Sequence, residues 1–172
     1  MNEEELLEWS VAKKIMYTKT YGHAYNTINE EDIVSDLVAG NLLKLLNEEE
    51  GYYKVEFPDS RKAFVPKEDA EDYNLWLSNL EFEADSLIAT SKTLIGVPYL
   101  WGGTSTKGVD CSGFTKTIYY LNGMVIPRDA SQQVHAGKSI DSISDFNKLE
   151  KGDLLFFGKK ATGTTSEKVV HV

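Results

Sequence analysis

The chain has a single cysteine among its 172 residues, so it can form no internal disulfide and assemble no Cys-rich zinc site. Positive charge is also scarce. Against 27 Asp and Glu there are 18 Lys and Arg, and the net charge of -9 argues against a grip on nucleic acid or an anionic membrane, since both depend on cations meeting phosphate. Small neutral or cationic partners fit this charge better. The opening stretch MNEEELLEWSVAKK has no basic segment followed by an apolar one, and no run is long enough to cross a bilayer, so neither a signal peptide nor a membrane span is visible. What is present, 41% hydrophobic and 26% charged residues, is a globular composition with material for one ordinary core or two small ones.

Two textures divide the chain. Residues 3–8 (EEELLE) fit a helix start or a solvated linker, with the linker favoured, and 1–8 as a whole read as a linker or the remnant of an upstream domain. From residue 9 to 73 short apolar runs alternate with turns, and a long polar loop is expected over 18–29. Within this stretch YKVEF (53–57) and RKAFV (61–65) alternate apolar and polar residues around Pro58-Asp59-Ser60, which predicts a β-hairpin. Several short strands in so few residues predict a small barrel. Residues 74–83 read as a connection. The second domain, 84–172, opens with a helix whose face is Ala84, Leu87, Ile88, Ser91 and Ile95, stopped by Gly96 and Pro98. A second helix follows Cys111, with Phe114, Ile118 and Leu121 at i, i+4 and i+7. LEKGDLLFFG (149–158) predicts a turn into an apolar strand buried on both faces, 158–166 a flexible loop, and EKVVHV (167–172) a last strand.

The chemistry centres on Cys111. A thiol at a helix start meets unpaired amides and the positive end of the helix dipole, and both favour the thiolate. Alone it fits a small buried hydrophobe as well as a nucleophile, but its flanks, Asp110, Ser112 and Gly113, are poor companions for a core plug. A thiolate attacking an acyl carbon needs a base. His23 reads as a solvated loop residue, and His135, expected in a short helix after Ser131-Gln132-Gln133, takes the same bland reading. His171 shares a strand face with Val169, where a satisfied structural histidine is the usual reading, and only its combination with Cys111 raises it to a candidate. Cys111, His135 and His171 lack the paired spacings of a zinc site, so no metal is expected, and no cofactor is implied.

Four motifs in order, PYLWGG (98–103), DCSGF (110–114), GDLLFF (152–157) and HV (171–172), resemble the NlpC/P60 family of cell-wall cysteine peptidases. Residues 9–73, with SDLVAG (35–40) and the hairpin, resemble a bacterial SH3-type domain. The combination is similar to γ-D-glutamyl-L-diamino-acid endopeptidases. That resemblance implies an α+β chain: an SH3-like β-barrel, then a papain-like catalytic domain in which the cysteine helix packs on an antiparallel sheet. It further implies Cys111 as nucleophile, His171 as general base, Tyr99, Ser112, Asp129 and Ser131 as substrate contacts, and murein stem peptides as partners. Periplasmic or secreted action is favoured for the parent, with cytoplasmic murein recycling as the alternative.

Two departures accompany the resemblance. The family places a third polar residue, usually His, Asn or Gln, on the strand after the base, whereas this chain stops one residue after His171. A C-terminally truncated catalytic domain, weakly active or inactive, is therefore expected. Relatives also often carry two SH3-type domains, and one is expected here. The alternatives to a peptidase are a non-catalytic module that binds wall peptides, or a thiol amidase or acyltransferase on the same fold.

Overall fold

The computed structural model describes residues 2–140, 146–162 and 168–172. The chain divides into two compact units, Met1–Leu80 and Glu81–Val172. Among the described residues no helix is long and apolar enough to cross a membrane.

The first unit holds α1 (Glu3–Val11), β1 (Lys14–Tyr17), β2 (Tyr21–Tyr25), β3 (Ile33–Val38), β4 (Leu42–Glu49), β5 (Tyr52–Glu56), β6 (Lys62–Pro66), β7 (Ala70–Asp72) and α2 (Tyr73–Ser78). Its strands form one antiparallel sheet in the order β3-β2-β6-β5-β4-β1-β7. The expected hairpin is β5–β6, with Tyr53 opposite Val65 and Val55 opposite Ala63. Alternation sends Val55, Ala63 and Val65 into the core and leaves Lys54 and Phe64 on the other face. Ser60 turns the chain at φ +68°. Ile15, Tyr17, Ala24, Leu37 and Leu43 complete the centre of the core.

Two expectations for this half need correction, and a third gains detail. Residues 3–8 are helix, not linker: Asn2 accepts from the Glu5 amide at 2.9 Å while the Glu5 carboxylate accepts from the Asn2 amide at 2.7 Å, and three glutamates lie at the positive end of the dipole. The polar stretch 18–29 contains β2, whose outward Tyr21, His23 and Tyr25 look like loop residues because only Ala24 is fully buried. The expected connection carries α2, capped by Asp72 through the Asn74 and Leu75 amides at 2.9 and 3.0 Å, and the preceding β7 closes on β1.

The second unit holds α3 (Ala84–Thr93), β8 (Thr104–Ser105), β9 (Gly108–Val109), α4 (Cys111–Leu121), α5 (Ala130–Gln133), β10 (Phe157–Lys159) and β11 (Lys168–His171). Leu87, Leu94 and Ile118 form its apolar cluster, with Val97, Phe114 and Tyr119 packed against them. The buried face of α3 continues through Leu94 rather than Ile95, which is 81% exposed because the helix ends at Thr93. The apolar run near 154–157 is not a strand buried on both faces. Only Phe157–Lys159 pairs, in a two-stranded antiparallel sheet with β11, and two strands supply no second covering layer: Leu155 is 46% and Phe157 57% exposed. Of the loop expected over 158–166, residues 158 and 159 are strand, and 163–166 lie outside the described residues.

Ile15 is fully buried on β1, between β4 and β7. Ile15→Ala should cost about 2–5 kcal/mol by loss of transfer energy plus a cavity. Urea unfolding of the parent and the variant measures that difference directly.

Candidate active site

Cys111 is the first residue of α4, and the residue before it explains why the helix begins there. Asp110 is extended, at φ -93° and ψ -175°, and its Oδ1 accepts from the Gly113 amide at 2.7 Å, which makes it the N-cap. The same carboxylate reaches back along the chain, with Oδ2 accepting from the Gly102 amide at 3.0 Å. The Asp110 amide in turn donates to the Gly103 carbonyl at 3.2 Å. One aspartate thus ties the Gly102-Gly103 turn to the start of the helix. Position 113 must be glycine for this approach, because a Cβ there would run into the Gly103 carbonyl oxygen.

Arg128 closes the arrangement from a third segment. Its Nη1 donates to Asp110 Oδ1 at 3.0 Å and its Nη2 to Oδ2 at 2.7 Å, a forked pair, and Nη1 also donates to Ser112 Oγ at 2.9 Å. The guanidinium holds the Asp110 carboxyl down at about 2, helped by the Gly113 and Gly102 amides and opposed by burial. The same pairing, again against burial, raises the already high pKa of Arg128. Gln133, 3% exposed on α5, donates to the Ser112 and Pro127 carbonyls, both at 2.9 Å, and accepts from Thr115 Oγ1 at 2.9 Å. Segment 127–133 is therefore fixed to the first turn of α4.

Cys111 is half-buried, with a free thiol. Ser112 is 5% exposed, and its hydroxyl is engaged with Arg128 and Asp110 rather than open to solvent. Tyr99 is 64% exposed and bridges to Val109, two residues before the cysteine. Asp129 is exposed at the N-cap of α5, where its side chain makes no capping bond, and Ser131 is exposed on the same short helix. His171 is exposed on β11, with its ring centroid 6.0 Å from that of Phe157. Helix α5 adjoins both α4, which carries the cysteine, and β11, which carries the histidine. His135 is exposed beyond the end of α5, and His23 belongs to the first unit, 5.2 Å from Tyr21 and 6.1 Å from Tyr25 between ring centroids. Among the described residues no three His, Cys, Asp or Glu side chains gather as metal ligands.

Sequence reasoning missed Arg128 and Gln133. Each is more than a dozen residues from its partners on α4, and each sits in a stretch whose polarity reads as turn. The only signal available was the Arg directly before Asp129 in the PRDAS run.

The model of the NlpC/P60 family matches residues 96–171, from the turn before Tyr99 to the candidate base. The second unit belongs to the NlpC/P60 family. Over 143 residues the chain is 38% identical to a γ-D-glutamyl-L-lysine dipeptidyl-peptidase of Bacillus cereus, covering 83% of this chain and 42% of that one. A protein of the same name from Bacillus subtilis is 37% identical over 143 residues, covering 83% of this chain and 45% of the relative. The crystal structure of an NlpC/P60 family protein from Bacillus cereus superposes with a TM-score of 0.76 at 33% identity, over 99% of this chain and 53% of that one. The chain thus has a mixed α/β fold with an NlpC/P60 neighbour, and it spans less than half the length of the two peptidases.

Two outcomes test the geometry. Gly113→Ala must push the Gly103 carbonyl off the helix start, and thermal unfolding should report a loss of about 1–3 kcal/mol. The Asp110 carboxyl, lowered from 3.8 to about 2, contributes stability that is full above about pH 4 and lost as pH falls towards 2, worth about 2 kcal/mol. In Arg128→Ala the deficit relative to the parent should be constant above about pH 4 and close as pH falls towards 2, which unfolding curves across that range would register.

Proposed function

We propose that this chain carries a cysteine peptidase that cleaves the bond between γ-D-glutamate and the diamino acid of murein stem peptides with a free amino terminus. Cys111 at the start of α4, in an NlpC/P60 domain, is the observation that carries this reading. The two Bacillus relatives, both named γ-D-glutamyl-L-lysine dipeptidyl-peptidase, support the bond and the substrate class.

In this reading the Cys111 thiolate attacks the γ-carbonyl carbon of D-glutamate. Backbone amides near Cys111 bear the charge that develops on the oxygen. The His171 imidazolium gives its proton to the departing amine of the diamino acid, and the acyl-enzyme remains as a thioester. Water then attacks the thioester and loses its proton to His171, and the thiolate leaves. The exposed Asp129 carboxylate, free of a capping bond, suits the ammonium group of the stem peptide, with the exposed Tyr99 ring and Ser131 hydroxyl as further contacts. Ser112 acts from inside, through Arg128.

The first unit is read as a bacterial SH3-type domain. Supporting this are its short antiparallel strands, its β5–β6 hairpin and a core built from alternating residues. On this assignment α1 is a preceding element, α2 leads out of the domain, and the catalytic domain starts at α3.

Incubating the protein with L-Ala-γ-D-Glu-L-Lys and following products by mass spectrometry tests the peptidase reading. Release of L-Lys, however slow, is expected, with loss in Cys111→Ala and a fall of about 100-fold or more in His171→Ala. Cleavage that persists in Cys111→Ala, or no cleavage by the parent, would return the chain to a wall-peptide binding role.

A further inference from the structure

Asp110 creates an electrostatic conflict. As the N-cap it must sit directly before Cys111 and accept from the Gly113 and Gly102 amides, yet a carboxylate there repels the thiolate that a nucleophilic cysteine must become. We propose that Arg128 is a positioning residue for Cys111: it cancels the field of the Asp110 carboxylate at the thiolate while holding that carboxylate in its capping place. The inference rests on the reading of Cys111 as nucleophile.

The geometry supports both halves of this role. Arg128 bonds the residue before the cysteine, Asp110, at 2.7 and 3.0 Å, and the residue after it, Ser112, at 2.9 Å, so its charge sits against the chain on either side of the thiol. A lysine at this position could supply the charge but not the fork. The pair is largely withdrawn from solvent, with side chains 30% and 10% exposed, so its field is weakly screened. Other charges nearby do not replace it. Asp129 has the wrong sign, Lys116 on α4 is engaged with the Ile126 carbonyl at 2.7 Å, and His171 stands on a separate element, β11.

A merely structural pair and a charge-cancelling pair predict different responses. If Asp110 and Arg128 only hold the loop, removing either should disturb Cys111 in the same direction. If they cancel, the two neutralisations must act in opposite directions. Cys111 is the one thiol in the chain, so alkylation by iodoacetamide, a neutral reagent, reads the thiolate fraction directly. At pH 6.5 Arg128→Gln should react about tenfold more slowly than the parent, and Asp110→Asn, whose amide oxygen can still cap Gly113, several-fold faster. The double variant should return to within about twofold of the parent, and Arg128→Lys should stay close to it. Shifts of the same sign in the two single variants, or an unchanged rate in Arg128→Gln, would overturn the proposal. Near-UV circular dichroism checks the fold of each variant. Should Arg128→Gln not fold, Asp110→Asn still decides, because a rate at or below the parent's contradicts cancellation. Tripeptide cleavage measured on the same proteins keeps the questions apart: opposite alkylation shifts without cleavage by the parent would retain the role of Arg128 and remove the peptidase reading.

Discussion

The Asp110 carboxylate is the constraint on which the rest of the second unit depends. Each of its oxygens serves more than one donor: Oδ1 the Gly113 amide, the Ser112 hydroxyl and Arg128, Oδ2 the Gly102 amide and Arg128. Through these bonds one side chain sets where α4 begins, where the Gly-Gly turn lies and where the 127–133 segment is anchored. Everything near the thiol is held by reference to it. A helix end is otherwise prone to fray, since its first amides have no partners within the helix. Here the first turn is pinned from outside by a charge-assisted network, so Cys111 stands on the most constrained part of the helix.

That network also explains the glycines of the cysteine motif. Gly113 allows the Gly103 carbonyl to lie on the helix, Gly103 itself lies too close to the Gly108 carbonyl to carry a Cβ, and Gly102 turns at φ +81°. The sequence PYLWGG followed by DCSGF is therefore one packed object: the second motif caps its helix with a residue that also binds the backbone of the first. Tyr99, Leu100 and Trp101, which precede the turn, are left 64%, 57% and 86% exposed. An exposed aromatic and apolar segment beside a fixed thiol suits contact with a ligand better than packing.

Much of this was legible beforehand, for identifiable reasons. The β5–β6 hairpin could be read because its alternation and turn residues are local, and the start of α4 because the apolar spacing of Phe114, Ile118 and Leu121 begins just after the cysteine. β2 was hidden because its outward residues are polar or aromatic and its inward ones are Gly22 and Ala24, small residues that leave no hydrophobic signature. α1 was hidden because its glutamates read as solvated charge, although their value lies in the capping box and the dipole. Arg128 and Gln133 could not be read at all. Their contribution is a set of contacts between distant segments, and nothing in local periodicity marks a polar residue as buried.

The two units achieve order by different means. In the first, ten buried residues form one apolar cluster, while in the second the corresponding cluster among the described residues has three. The buried polar residues tell the reverse story: Asp110, Ser112, Thr115, Thr117, Asn122 and Gln133 all belong to the second unit and all lie on or beside α4. Asn122 ties the far end of that helix to α3 through Thr90 at 2.9 Å, as Asp110 ties its near end to the turn. Hydrogen bonds are directional where apolar contact is not, so a helix held at both ends by polar bonds has its rotation and register fixed as well as its position. On the proposed reading of Cys111 as nucleophile that difference matters, because a hydrophobic core tolerates small shifts that a reacting sulfur, aligned on one carbonyl carbon, does not.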